Sequence, residues 1–256
     1  VDQVSQDLFM AHYLEAIDVR RKCHEMGALF GGKLPHSPAY IAGGFTAVPS
    51  AANLTAFETH LDNILAFIET RYLPDAERLA ALYSDYFKIG RGYGNLLCYG
   101  AFELNDAGTS KLFPAGRVVN GTGAVLSMDE AAITEDVTRS WYANESGTRH
   151  PSVGETVPQY PKADGYSWLK APRYGGAPYE CGPLARMWCR GDYVNGVSTM
   201  DRIRARAYEA RLLATQMKSW LAELNAGDTT YTPWTNPGAA TASGLSEAPR
   251  GALGHW

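Results

Sequence analysis

A short stretch near the end of the 256-residue sequence, SEAPRGALGHW, holds an arginine in a turn of restricted shape. Pro249 fixes its own backbone angle φ, whereas Gly251 permits conformations that other residues avoid. The guanidinium of Arg250 is permanently charged and donates several hydrogen bonds, so it is suited to stabilise negative charge. From the residues alone, an arginine in such a turn is more often a surface or structural contact than a catalytic group.

A second candidate is His36, in the segment GGKLPHSP. An imidazole can donate an N–H to a nearby acceptor, but a loop histidine that follows Pro35 is more often satisfied by the backbone. Gly31 and Gly32 indicate a helix end and not a phosphate-binding loop, because the rest of any such motif is missing. His36 is therefore a weak candidate when taken by itself.

Cysteine and histidine spacing gives no metal-ligand pattern. The sequence contains neither a C-x-x-C pair nor an H-x-x-x-H pair, and its cysteines are too few and too scattered for a disulfide framework. We interpret them as buried or loop thiols: Cys23, Cys98, Cys181 and Cys189. The sequence predicts no complete metal site formed by its own residues.

Composition places the chain among ordinary globular proteins. Hydrophobic residues make up 45% and charged residues 20%, which excludes an intrinsically disordered chain. The formal net charge of −4 argues against a dedicated nucleic-acid-binding protein, which usually carries a basic surplus. No stretch approaches the roughly 18 apolar residues of a membrane span, and no segment is typical of a signal peptide.

Apolar residues at intervals of three and four predict four main helices. The first ends at Gly31-Gly32, and the others have their apolar faces over residues 54–68, 79–86 and 200–224. Pro74 is expected to separate the second from the third, which should end at Gly90. The alanine-rich middle of the fourth should let a neighbouring helix approach closely. Asp129 is predicted to cap a short helix that extends to Val137.

Short strands and turns are predicted between Gly90 and Gly123, and a long irregular loop over residues 144–190, which are rich in Pro, Gly and Tyr. The fold class that follows is mainly α: a helix bundle with small β decorations and long irregular loops.

Three separated stretches together resemble the large, catalytic subunit of nickel–iron hydrogenases. They are HEMGALFGGKLPHSP, YSWLKAPRYGGAPYECGPLARM and the SEAPRGALGHW described above. Their order and spacing are specific, and the resemblance extends over essentially the whole chain. It implies a single domain, residues 1–256, from the central part of such a subunit, truncated at both ends.

The resemblance also implies roles for individual residues. Arg250, in a turn with Ala248 and Pro249, would be catalytic and would lie beside the metal pair. His36 would face an iron–sulfur cluster at the small-subunit interface, and Lys33 would be an interface ion-pair residue. Three basic residues of the second stretch are expected to be structural: Lys170, Arg173 and Arg186. Cys181 departs from the family pattern, which usually has an aliphatic residue before G-P-L-A-R.

The implied cofactors are a nickel–iron centre with diatomic ligands on iron, and iron–sulfur clusters in a partner subunit. In the family the centre is held by four cysteines in two C-x-x-C pairs. Neither pair occurs in this sequence. We therefore expect the metal ligands to lie outside the chain as given, and the chain alone to be inactive.

The implied function is that of an uptake-type hydrogenase that cleaves dihydrogen reversibly and heterolytically and passes electrons to an iron–sulfur small subunit. The partners would be that small subunit, dihydrogen and protons, with no nucleic acid, and with membrane association only through partners. The compartment is not readable from the sequence, although the family suggests the periplasmic or cell-envelope side, after export with the small subunit. Two alternatives remain: a metal-free, quinone-pocket subunit of a related respiratory complex, and a non-catalytic helical interaction module.

Overall fold

In the computed structural model, which describes residues 2–255, helix α1 spans Gln3–Gly31. It begins at Asp2, whose carboxylate accepts a hydrogen bond of 2.8 Å from the N–H of Ser5. It ends at Gly32, which has a φ of 78° and donates its N–H to the carbonyl of Ala28. The predicted end of the first helix is confirmed.

The second and third helices form one nearly continuous helical segment. Helix α2 (Ala51–Phe67) is capped by Ser50, a π-helical turn covers Ile68–Tyr72, and α3 spans Leu73–Leu82. The predicted break at Pro74 is wrong: Pro74 lies at the start of α3, and helical backbone continues across it from the π-helical turn. The predicted extension of the third helix to Gly90 is also wrong: a 3₁₀ turn occupies Ser84–Lys88 instead.

Helix α5 spans Thr199–Ala222 and so ends two residues before the predicted end. The described residues up to Tyr86 form one compact unit with Ile203–Thr241. Two alanines of α5, Ala207 and Ala214, are buried in the same apolar cluster as Leu61 of α2. The alanine-rich middle of this helix therefore faces the apolar interior of the unit. This first unit also contains a short hairpin, β1 (Tyr40–Ile41) and β2 (Gly44–Phe45).

The second compact unit comprises Phe87–Arg202 and the described residues from Ala242 onward. All its strand pairs are antiparallel. They form a three-stranded sheet of order β3-β6-β7 and the pairs β4-β5, β8-β9 and β10-β11. The strands are β3 (Leu96–Cys98), β4 (Ala101–Glu103), β5 (Lys111–Phe113), β6 (Gly116–Val119), β7 (Thr122–Leu126), β8 (Ile133–Asp136), β9 (Ala171–Tyr174), β10 (Leu245–Glu247) and β11 (Leu253–His255).

Two predictions within the second unit need correction. Asp129 does cap a turn, since its carboxylate accepts from the N–H of Ala131 at 3.0 Å, but that turn is a 3₁₀ helix of Glu130–Ala132. Strand β8 then replaces the predicted helix, because β9 pairs with it from 35 to 41 residues further along the chain (Asp136↔Ala171 and Ile133↔Tyr174). The predicted long loop is likewise interrupted by β9 and by helix α4, Pro183–Arg190.

Helical residues make up 41% of the structure and strand residues 17%, so the predicted mainly α fold with small β decorations is confirmed only in part. The strands are more than decoration, because they organise most of the second unit. Among residues 2–255, no helix is long and apolar enough to cross a membrane.

Candidate functional site

Arg250 lies at the apex of the hairpin formed by β10 and β11. The two strands pair up to Glu247 and Leu253, and Ala248 donates its N–H across the turn to the carbonyl of Ala252 at 2.8 Å. A second hydrogen bond of 3.1 Å runs from the N–H of Gly251 to the carbonyl of Ala248. Arg250 itself is exposed. The hairpin therefore presents a charged side chain on a backbone closed by two hydrogen bonds.

The backbone of this turn packs closely against the residues that precede α4. A Cβ placed on Gly251 would lie 2.0 Å from the carbonyl oxygen of Cys181, and Gly251 has a φ of 106°. Gly182 also has a positive φ, and a Cβ there would lie 3.2 Å from the carbonyl carbon and oxygen of Arg250. Both positions thus require glycine, because the space and the backbone angle exclude a side chain.

Arg186, on helix α4, contacts the other side of the turn. Its Nη1 donates to Oε1 of Glu247 at 2.9 Å and to the carbonyl of Ala248 at 3.3 Å, and its Nη2 donates to the carbonyl of Pro249 at 2.6 Å. The side chains of Arg186 and Glu247 are 5% and 0% exposed. Arg186 bridges carbonyls and a carboxylate, which is the structural role expected of it from the sequence.

Glu247 is held by a second element. Its Oε2 accepts a hydrogen bond of 3.1 Å from the N–H of Tyr99, which follows strand β3. One carboxylate oxygen therefore faces Arg186 and the other faces the backbone after β3. Each partner donates a hydrogen bond to one buried carboxylate oxygen, and this offsets the cost of removing that oxygen from water.

Three thiols surround this carboxylate. Burial raises the pKa of Cys181 and of Cys189 to about 12, and the charge of Glu247 adds to the effect on both. Burial, with Glu247 second, also raises the pKa of Cys98 far above its ordinary value. All three thiols are therefore neutral at physiological pH.

A cavity of about 350 Å³ lies within the second unit, beside the arginine turn. Gly251, Ala252 and Leu253 line one side of it. The rest of its wall is mostly apolar and aromatic and includes Leu97, Ile133, Tyr174, Tyr179 and Cys181. The turn therefore borders a concave space instead of a flat surface.

Of the other predicted residues, Lys170 and Arg173 also line this cavity, whereas Lys33 and His36 belong to the first unit. His36 and Lys33 are exposed residues of the segment that follows α1, in the first unit, and His36 has a φ of 60°. Lys170 pairs with Glu135 at 2.7 Å, and Arg173 donates to the adjacent carbonyl of Pro172 at 2.9 Å. Lys170 is thus a bridging residue, as expected, whereas the hydrogen bond of Arg173 is to its sequence neighbour.

No cluster of three or more His, Cys, Asp or Glu side chains suited to a metal ion occurs between residues 2 and 255. The part of the chain that the structure describes therefore offers no ligand set for a nickel–iron centre. At the hairpin apex, the exposed side chain of Arg250 offers a positive charge and N–H donors.

Sequence reasoning missed Glu247 as a partner of the arginine turn. Its place immediately before Ala-Pro-Arg was visible, but a glutamate in a short strand is usually exposed, and nothing nearby indicates that its side chain is buried. A weak signal was Arg186, which stands among apolar residues in GPLARM and could therefore be buried. A buried arginine requires an acidic or carbonyl partner.

The family model described as nickel-dependent hydrogenase matches this chain over residues 3–197 and 191–256. The chain is 34% identical to the periplasmic [NiFeSe] hydrogenase large subunit of Desulfomicrobium baculatum, over 95% of this chain and 52% of that protein. It is 33% identical to the hydrogenase-1 large chain of Escherichia coli K12, over 96% of this chain and 52% of that protein. The chain spans about half the length of the curated relatives it matches.

Solved structures agree with these matches. The as-isolated oxidised Ni-Fe-Se hydrogenase from Desulfovibrio vulgaris Hildenborough superposes with a TM-score of 0.92 at 34% identity, covering 100% of this chain and 58% of that one. A reduced, active form of the Ni-Fe-Se hydrogenase from Desulfomicrobium baculatum superposes with a TM-score of 0.91 at 32% identity, covering 98% of this chain and 57% of that one.

Proposed function

Because this chain belongs to the nickel-dependent hydrogenase family, we propose that it forms the central part of the catalytic large subunit of a nickel–iron hydrogenase. The complete enzyme would cleave dihydrogen reversibly and heterolytically and transfer electrons to an iron–sulfur small subunit. The observation that carries the proposal is the family match over nearly all of the chain, together with the placement of Arg250 at a closed hairpin apex. The residues 1–256 would belong to one domain of that subunit.

The cofactor would be a nickel–iron centre with diatomic ligands on iron. Such a centre supplies the Lewis-acid and redox chemistry that dihydrogen cleavage requires. Among the described residues, no three His, Cys, Asp or Glu side chains are grouped so that they could hold a metal ion. We assign no metal ligand to this part of the chain.

Arg250 is the residue that we propose to be catalytic, in a turn with Ala248 and Pro249. Arginine keeps its proton in almost any protein environment, so we assign it a hydrogen-bonding and electrostatic role and not that of a base. Its guanidinium would stabilise negative charge that develops beside the turn, at the border of the cavity. The two hydrogen bonds that close the turn support this role, because they limit the reorganisation needed during the reaction.

His36 and Lys33 are proposed to lie at the interface with the small subunit, with His36 towards an iron–sulfur cluster. Their exposure supports this, since both remain available to a partner. An imidazole N–H donated to a cluster sulfur would raise the reduction potential of that cluster.

The partners would be the small subunit, dihydrogen and protons, and any membrane association would pass through partners. One relative is named as periplasmic, and we propose the same compartment for the complete enzyme. Among the relatives named here, every one is a hydrogenase subunit. The metal-free quinone-pocket subunit and the non-catalytic interaction module are therefore not favoured.

The experiment that tests this function replaces Arg250 in the complete enzyme. In Arg250→Lys, the charge remains but the planar fork of donors is lost, so we expect turnover of dihydrogen to fall about 100-fold while nickel and iron content is unchanged. Arg139→Lys is the matched control, because Arg139 is also an exposed arginine of the second unit, 3.4 Å from Asp164. Undiminished turnover in Arg250→Lys would remove Arg250 from the mechanism, and absence of nickel and iron from the unaltered enzyme would contradict the proposed function.

A further inference from the structure

The side chain of Arg186 donates hydrogen bonds to backbone carbonyls of the arginine turn. Its two terminal nitrogens reach the carbonyls of Ala248 and Pro249, the two residues that immediately precede Arg250. The backbone that leads into position 250 is thus held by hydrogen bonds from a side chain on helix α4. Arg186 precedes Pro249 by 63 residues in the sequence.

The guanidinium of Arg186 is itself held in place on several sides. Glu247 accepts from Nη1, and the N–H of Tyr99 holds the other oxygen of that carboxylate. The ring of Phe113 lies beneath, with its centroid 5.8 Å from Cζ of Arg186, and this ring is 0% exposed. A planar group with this set of contacts has little freedom to rotate or shift.

The opposite side of the turn is closed by backbone. Because Gly251 packs against the carbonyl of Cys181, the turn has no room to move towards the segment before α4. That segment leads directly into the helix that carries Arg186. One helix and its preceding residues therefore hold the turn on two sides.

We propose that Arg186 is a positioning residue for Arg250: it holds the carbonyls of Ala248 and Pro249 and thereby determines where the catalytic guanidinium lies. The proposal rests on the proposed function, since it requires Arg250 to act in turnover. Lysine is not equivalent to arginine here, because Arg186 reaches its three acceptors from two nitrogens of a planar fork, whereas lysine has one donor nitrogen. Glu247 has the supporting role of holding Arg186.

The test uses the complete enzyme with three variants. Arg186→Lys keeps a positive charge beside Glu247 but removes the planar guanidinium. Glu247→Gln keeps the side-chain volume but removes the negative charge that holds Arg186. Arg190→Lys is the matched control, because Arg190 lies on the same helix and contacts a carbonyl and a carboxylate, those of Leu112 and Asp192, away from the turn.

The first readout is amide hydrogen exchange at Ala248 and Gly251, whose N–H groups close the turn, and it does not depend on turnover. We expect exchange at these amides to accelerate at least about 10-fold in Arg186→Lys, less in Glu247→Gln, and not at all in Arg190→Lys. Nickel and iron content should remain unchanged. Equal exchange in all three variants would overturn the proposal, and so would the same acceleration in Arg190→Lys.

The second readout is a double-mutant cycle on turnover. Arg186→Lys alone should reduce kcat about 10-fold or more with little change in KM. In an Arg250→Lys background it should have almost no further effect, because a residue that acts through Arg250 has nothing left to position. Reductions that multiply in the double variant would overturn the positioning role while leaving the proposed function intact. Full activity of Arg250→Lys would instead refute the function on which the proposal rests.

Discussion

The interior of the first unit and the interior of the second unit are stabilised by different kinds of contact. In the first unit, the centre is an apolar cluster in which Leu61 of α2 packs with alanines of α5. In the second, the centre near the arginine turn contains a buried ion pair, Arg186–Glu247, and neutral thiols around it. Periodic apolar faces organise the helical unit, whereas polar contacts between distant segments organise the one that presents Arg250.

The largest expected effect is on the alkylation rate of the thiols near Glu247. This rate tests whether the polar centre of the second unit excludes solvent. At about pH 9, alkylation of Cys181 and Cys189 by iodoacetamide should be about 100-fold or more slower in the folded protein than in urea, since burial raises the pKa of both to about 12. The measurement is mass spectrometry of the labelled peptides over time. Cys23 of the first unit is the comparison, because burial raises its pKa as well, but it is only partly buried, whereas Cys189 is buried.

The same shift makes stability depend on pH at the alkaline end. The pKa in the folded state lies above the unfolded value of 9.0, so the stabilising contribution of Cys181 is complete below about pH 9 and is lost as the pH rises towards 12. Rapid labelling of Cys181 in the folded protein would show that this centre is open to solvent, and the contrast between the units would then not hold.

The next effect tests the apolar centre of the first unit. Leu61→Ala should lower the free energy of unfolding by about 2–5 kcal/mol, because Leu61 is fully buried and its truncation leaves a cavity. Urea unfolding of the complete subunit, with hydrogen exchange in the peptides of α1 and α2, measures the loss. Leu14→Ala is the matched control, since Leu14 is 59% exposed, and a comparable loss in that variant would contradict the assignment of the core.

The smallest of these effects tests a polar contact of the second unit outside the site. The ammonium of Lys162 donates to the carbonyls of Val137, Ser140 and Tyr142 at 2.8–3.0 Å and to the amide oxygen of Asn144 at 2.7 Å. Lys162→Met should therefore cost about 1–3 kcal/mol, because it leaves these oxygens without their donor.

Hydrogen exchange over residues 137–144, together with urea unfolding, measures the effect of this change. The control is Lys88→Met, which replaces an exposed lysine of the same unit. Equal stability of the two variants would mean that Lys162 does not organise this loop.

The success of sequence reasoning differed between the units for a physical reason. The end of α1 at Gly32 was predictable because a helix end depends on neighbouring residues, and the burial of Ala207 and Ala214 of α5 was predictable from their helical spacing. The break at Pro74 was predicted wrongly because helical backbone continues across it from the π turn, which has no clear sequence signal. Strand β8 was mistaken for a helix because its partner β9 lies far along the chain.

By itself, the sequence determined the family, through three motifs in a specific order, and it determined that Arg250 lies in a turn of restricted shape. Those properties depend on local residue types. Only the tertiary structure decided that Arg186 and Glu247 meet beneath that turn, that the surrounding thiols stay protonated, and that Gly251 packs against the carbonyl of Cys181. Burial and pairing of polar groups depend on which distant segments fold together, and no local pattern specifies that.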